Sequence, residues 1–171
     1  MFAAHFAAAL AIKTREPEAP ATVLLIGAFV PDIIWVVLAV TGVEPAATAT
    51  FFDDWSHSLL MVVLWAVLYA ACFVRSRGWP VALAAGAAVL SHFFLDLPIH
   101  PKPLGLYPYS HVRLSVGLAS VAPLSYWYVQ LVVVLALLAV YVWQGARIRV
   151  PRSRLTQSCI FVLALHLLLA P

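Results

Sequence analysis

Four apolar stretches, Ala21–Val43, Ser56–Val74, Trp79–Leu97 and Ser125–Gln144, approach or exceed the ~20 residues that a helix needs to cross a bilayer. Backbone N–H and C=O groups in hydrocarbon must be paired within their own segment, so such runs are expected to be helices. Composition points the same way. Of 171 residues 64% are hydrophobic and 10% charged, where a soluble domain is roughly half apolar and about a quarter charged. A water-soluble domain of this size has too little interior to hide that much apolar surface. An ordinary cytosolic enzyme, a disordered chain and a disulfide-stapled secreted module are therefore excluded. The formal charge of +3 comes from residues too sparse to make a nucleic-acid footprint. Cys72 and Cys159 lie inside apolar runs and read as packing residues. The expected fold is an all-α transmembrane bundle, a single integral membrane domain over residues 1–171.

Two further segments complete it. Met1–Ile12 is too short to cross, reaching about halfway at ~1.5 Å per residue, and without a basic leading region it does not read as a secretory signal. Leu155–Pro171 carries no charge after Leu155 and is taken as a last span. The total is four to five spans plus an N-terminal half-span helix. Lys13 and Arg15 precede the first full span, Arg75 and Arg77 separate the second from the third, and Arg147, Arg149, Arg152 and Arg154 follow the fourth. With alternating helices these eight share one side, while the other holds only Lys102 and Arg113 beside Glu44, Asp53 and Asp54. The excess of Lys and Arg marks the first side as cytoplasmic. The Phe51–His57 turn and the 98–124 connection then face outward, and 111–124 is apolar enough to lie in the interface or re-enter beside the helices. Tyr107, Tyr109, Tyr126, Trp127 and Tyr128 read as an interfacial aromatic belt.

The informative residues are those a membrane should not contain. Asp32, His92 and Asp96 fall within predicted spans, and His5 and His57 at or near span ends. An ionisable group at such depth costs a few kcal/mol, at least ~2.5 on insertion scales, unless it is paired. Counted from the cytoplasmic ends, all five fall between mid-membrane and the outer surface, at the right heights to meet in one pocket. His92 and Asp96 are spaced i, i+4 and share a helix face. Neutral imidazole with carboxylate is a donor set for zinc or another divalent transition metal. Pro31 frees one helical hydrogen bond just before Asp32, and Gly27 and Gly86 permit close helix approach. The blander readings are a buried structural pair for His92 and Asp96, a packed residue for His166, and helix capping for Asp53 and Asp54.

The order His5, then Gly27-Ala-Phe-Val-Pro31-Asp32, then Ser56-His57-Ser58, then Ser91-His92-Phe-Phe-Leu95-Asp96 resembles the membrane-bound metal-dependent hydrolase family, which includes LexA-regulated inner-membrane members. His100 resembles a second histidine found in a subgroup of bacterial membrane proteins just after the S-H-x-x-L-D element. The resemblance covers about residues 1–130 and departs from the family at Ile34, where many members have an acidic residue, and at Phe52-Asp53-Asp54-Trp55, where many have H-R-G. It implies a bacterial inner (cytoplasmic) membrane location and one divalent metal, or two, zinc first, on His5, Asp32, His57, His92 and Asp96.

Two function classes follow. As an enzyme, the chain would hydrolyse an ester or phosphoester, lipid-linked substrates suiting an outer-leaflet mouth, with Asp54 or His100 as general base. As a non-catalytic accessory subunit of a larger membrane complex, it would use the same residues for a structural metal, a pigment or haem, or one another. Membrane lipid is the expected surrounding in either case, and nucleic acid is not an expected partner.

Overall fold

The computed structural model describes residues 2–45, 52–100, 102–114, 118 and 122–168. It is helical throughout: α1 Phe2–Arg15, α2 Ala21–Val40, a one-turn α3 Asp54–His57, α4 Leu59–Asp96, α5 Pro123–Arg147 and α6 Arg152–Leu168. Among the described residues the only β pairing is an isolated bridge between Gly105 and Arg113. Three helices are long and apolar enough to cross a membrane: Ala21–Val40, Leu59–Asp96 and Leu124–Arg147. The chain is thus an all-helical protein of membrane type.

Element boundaries differ from the sequence expectation in three places. The stretches expected as separate spans at Ser56–Val74 and Trp79–Leu97 form one helical path, α4, interrupted at Gly78. Gly78 has φ 80°, ψ 171°, a left-handed conformation that a Cβ disfavours, and Pro80 follows. The path turns back there. A Cβ on Gly86 would lie 3.3 Å from the Ala66 carbonyl oxygen, so the two arms run against each other. Second, Ser56 and His57 leave the long helix and form α3, because Ser58 is extended (φ −66°, ψ 152°). Third, the last helix begins at Arg152, not Leu155, and has 17 residues. Of the 111–124 stretch, residues 115–117 and 119–121 lie outside the described residues.

Burial sets α1 apart from the apolar helices around it. This alanine-rich helix is enclosed, with Ala4 and Ala7 fully buried and Ala3, Ala8 and Ala9 nearly so. Small side chains let the neighbouring backbones close in around it. One side packs with Val134, Leu138 and Tyr141 of α5 and with Leu155 and Val162 of α6. Another meets Leu24 and Ala28 of α2 and Val81, Ala84 and Ala88 of the second α4 arm. By contrast α2, the most apolar helix, leaves Ile26, Ile33, Val36, Val37 and Val40 exposed, the surface expected where lipid is the solvent.

Close approach fixes α2 against α4. A Cβ on Gly27 would sit 3.0 Å from both Ala88 Cβ and Tyr69 Cε1 and 3.2 Å from the Ala85 carbonyl oxygen. The Tyr69 hydroxyl donates to the Val23 carbonyl at 2.8 Å. At the other end of α4, the carbonyls of Gly105 and Leu106 accept the N–H groups of Leu59 and Leu60 at 3.1 and 3.0 Å. These are among the donors left free at any helix start. The loop after α4 is thereby laid over the start of the same hairpin, with Leu104 buried beside Val62 and Phe93.

The basic ends gather at one pole. Thr14 donates to the Gln144 side chain at 2.8 Å, Lys13 donates to the Ala19 carbonyl at 2.8 Å, and Ala19 packs with Val81 just past the hinge. Arg147 lies 3.9 Å over the Trp143 ring. Glu44, Asp53, Asp54 and His100 collect at the opposite pole, as the contacts below describe.

Candidate metal centre

The five polar residues singled out from four segments meet at one point. His92 Nε2 lies 3.3 Å from Asp96 Oδ2 and 3.7 Å from Asp32 Oδ1. His57 Nε2 lies 3.4 Å from the same Asp32 oxygen, and His5 Nε2 lies 3.5 Å from Asp96 Oδ1. The His5 and His92 rings stack at 4.0 Å with 13° between planes. His100 joins from the loop, its ring 5.4 Å from that of His57. Donor atoms come together in overlapping threes, each set within 4.8 Å: His5, His92 and Asp96; Asp32, His57 and His92; His57, Asp96 and His100.

Local structure aims each side chain. The i, i+4 spacing puts His92 and Asp96 on one face of the second α4 arm. Pro31 supplies no N–H to the preceding turn of α2, and nearby the Ala28 carbonyl takes His92 Nδ1 at 2.8 Å. A carbonyl only accepts, so Nδ1 of His92 carries a proton, and in the neutral ring Nε2 faces the cluster with a lone pair. His100 follows the same logic, with Nδ1 2.9 Å from the Lys102 carbonyl oxygen. For His57 the chain has one more link. The Ser56 hydroxyl donates to the Asp53 carbonyl at 3.0 Å, so it accepts from His57 Nδ1 at 2.7 Å.

Three imidazole lone pairs therefore point at carboxylate oxygens, acceptor against acceptor. The separations of 3.3 to 3.7 Å exceed the ~2.7–2.9 Å of a charge-assisted hydrogen bond. Nε2 of His57 and His92 and both ring nitrogens of His5 are buried without a hydrogen-bond partner. Each such atom costs about 1–3 kcal/mol when left unmet. Cations held between the imidazoles and the carboxylates would meet the Nε2 atoms, and an imidazole whose other nitrogen is held by a carbonyl or hydroxyl is what metal-binding histidines present. The donor set fits a divalent transition metal.

Access is from the acidic pole. A cavity of about 140 Å³ is lined by Asp32, Trp35, Asp53, His57 and His100. The Asp32 side chain is 34% exposed there, whereas His5 and His92 are fully buried. A second cavity of about 270 Å³, lined by Phe52, Asp53, Asp54, Lys102, Pro103 and Arg113, shares Asp53 with the first.

The capping residues expected at 53 and 54 do other work. Asp53 makes no side-chain cap bond to α3; its Oδ2 lies 3.4 Å from His100 Nε2. Asp54 accepts from Arg113 Nη1 at 2.6 Å and from the Tyr109 N–H at 3.0 Å, so both its oxygens are engaged outside the cluster. Glu44 is the cap: its Oε1 accepts the N–H groups of Trp55 at 2.6 Å and Ser56 at 3.0 Å. Burial pushes the Glu44 carboxyl above its ordinary range, and burial together with neighbouring His57 lowers His100. Neither Asp53 nor Glu44 was assigned to the site from sequence. Both sit in turns outside the apolar runs, and turn acids are too common to stand out. Of the expected aromatic belt, Trp127 departs: its ring stacks on buried His166 at 4.9 Å.

Fold and site together define a class, an all-helical membrane protein with a buried histidine–carboxylate cluster opening at one pole. Comparison of the chain with protein-family models, with characterised proteins and with solved structures finds no match.

Proposed function

We propose that the chain is a multi-pass membrane metal-dependent hydrolase acting on an ester or phosphoester at the outer face of a bacterial inner membrane. The observation that carries this reading is the convergence of histidine lone pairs on carboxylate oxygens in a buried site that opens through a polar mouth. His5, Asp32, His57, His92 and Asp96 would hold a divalent ion, zinc being the natural candidate for nitrogen and oxygen donors. Such an ion supplies Lewis acidity, polarising a carbonyl or phosphoryl oxygen and lowering the pKa of water.

The rest falls to the chain's own residues. Asp53, buried with Oδ2 unpartnered and lining both cavities, is placed to take a proton from water at the mouth. Asp54 is a positioning residue, holding the Arg113 guanidinium beside the larger cavity, where Lys102 adds a second positive charge. His100 sits with the metal donors, which leaves the base role to Asp53. If the two α4 arms, α2, α5 and α6 each cross, the chain would make five crossings, within the four to five expected, with Arg75, Arg77 and Arg147–Arg154 on the cytoplasmic side.

The reading is tested on detergent-purified protein by metal content and by turnover of a chromogenic phosphomonoester and of a phospholipid in mixed micelles. Bound metal and turnover, both lost in Asp32→Asn, are expected. Absence of bound metal after loading removes the proposal. Bound metal without turnover leaves the accessory-subunit reading. Cysteine labelling from outside at positions 76 and 103 tests orientation; reaction at 103 and not at 76 is expected.

A further inference from the structure

We infer that the cluster is built for two divalent cations bridged by carboxylates, not for one; this rests on the metal-centre reading above. The argument begins with how many lone pairs each side chain has to give. Nδ1 is committed in His92 to the Ala28 carbonyl, in His57 to the Ser56 hydroxyl and in His100 to the Lys102 carbonyl. Each of these rings offers Nε2 alone, and one nitrogen lone pair serves one ion. A carboxylate differs, having two oxygens with several lone pairs between them.

The donor atoms meet in threes: His5 with His92 and Asp96, His57 with His92 and Asp32, His57 with His100 and Asp96. The four histidines divide between two of these sets, each used once, in one way only. His5 and His92 share a deep position, and His57 and His100 share an outer one. Asp96 belongs to both sets. Asp32 Oδ1 spans them as well, 3.7 Å from His92 Nε2 and 3.4 Å from His57 Nε2. Each position then has two imidazoles, and two carboxylates lie across the pair. A single ion bonded at about 2.0–2.2 Å reaches donors no more than ~4.4 Å apart. Centred on either histidine pair, it leaves unpartnered buried nitrogens on the other.

Charge and substrate class follow. Two carboxylates balance one divalent ion, and a second calls for more negative charge. Asp53 supplies it, buried against the outer position with Oδ2 3.4 Å from His100 Nε2. Paired metals suit in-line displacement at phosphorus, where both the attacking and the leaving oxygen would be stabilised. The favoured substrate class is therefore a phosphoester.

The test uses the full chain in detergent, stripped by chelator and titrated with Mn²⁺, read by metal analysis and electron paramagnetic resonance. Wild type is expected to saturate at two ions per chain and to give the spectrum of an exchange-coupled pair. His5→Gln and His100→Gln should each saturate at one ion and give an isolated-ion spectrum. His100 stands in a loop outside the helices, so its variant keeps the test open if α1 tolerates no change at His5. Saturation of wild type at one ion with an isolated-ion spectrum overturns the inference and leaves the metal-centre reading intact. No Mn²⁺ bound overturns both.

Discussion

His92 and His166 are both buried and both carry an Nε2 without a hydrogen-bond partner, yet their surroundings share little else. His92 has its second nitrogen pinned by a carbonyl from another helix, two carboxylates within 3.7 Å and a second imidazole stacked on its ring. His166, on α6, has the Trp127 ring against one face and, among the described residues, no acidic partner. The first environment is polar and built from four segments; the second is apolar and belongs to the helices that enclose α1 from the other side. Burial of a histidine in a membrane bundle is therefore weak information. Convergence of buried acceptors on one another is strong information.

The largest effect expected is at Asp96, common to two of the three donor sets. Asp96→Ala should lower metal affinity by at least the ~10–100-fold that outer-shell changes cost, measured by equilibrium metal binding. If His166→Phe lowered it as much, the contrast between the two histidines would collapse. Next is the joint that holds the cluster. Gly27→Val places carbon where Ala88, Tyr69 and the Ala85 carbonyl already sit within 3.2 Å. Overpacking of this kind costs about 1–3 kcal/mol and, by parting α2 from α4, should weaken metal binding too. Thermal unfolding in detergent reads the first effect. Thr14→Val acts on the opposite pole, removing the bond to Gln144, and should cost about 0.5–1.5 kcal/mol with metal affinity unchanged.

A pH profile sharpens the comparison further. Because Glu44 is raised by burial, the folded chain binds this proton more tightly than the unfolded chain. The stability it lends is complete below the ordinary glutamate range and is lost as pH rises through the folded value. Wild type should therefore lose stability across mildly acidic pH relative to Glu44→Gln, whose profile is flatter there. Smallest of all is His166→Phe. Metal content should be unchanged and unfolding shifted by under about 1 kcal/mol, since an apolar ring replaces a group with one unmet nitrogen.

Much of the site was legible in the sequence because membrane burial makes ionisable residues conspicuous. Asp32, His92 and Asp96 stand out against apolar neighbours, and helical rise alone set their heights. His5 and His57 were found the same way, although His57 sits on a separate turn, since depth does not depend on which element carries a residue. Asp53 and Glu44 were not found because nothing local separates a turn acid that faces an imidazole from one that caps a helix. The hairpin of α4 was visible as two apolar runs parted by Arg75 and Arg77; what the sequence did not mark is that the second arm resumes at once after Gly78. Least legible was the position of α1. Its alanines read as a helix too short to cross, and only packing reveals that smallness is what admits it to the centre.

The central place of α1 has a consequence for assembly. Its broadest packing partner, α5, begins more than a hundred residues further along the chain, and loops of that separation close late. Until α5 and α6 have arrived, the helix bearing His5 lacks one of its two walls. The hairpin partners α2 and α4 can pair earlier, bringing Asp32, His92 and Asp96 together without it. Completion of the polar cluster is thereby coupled to completion of the bundle, so an unfinished or mispaired chain lacks the full donor set that a finished one presents.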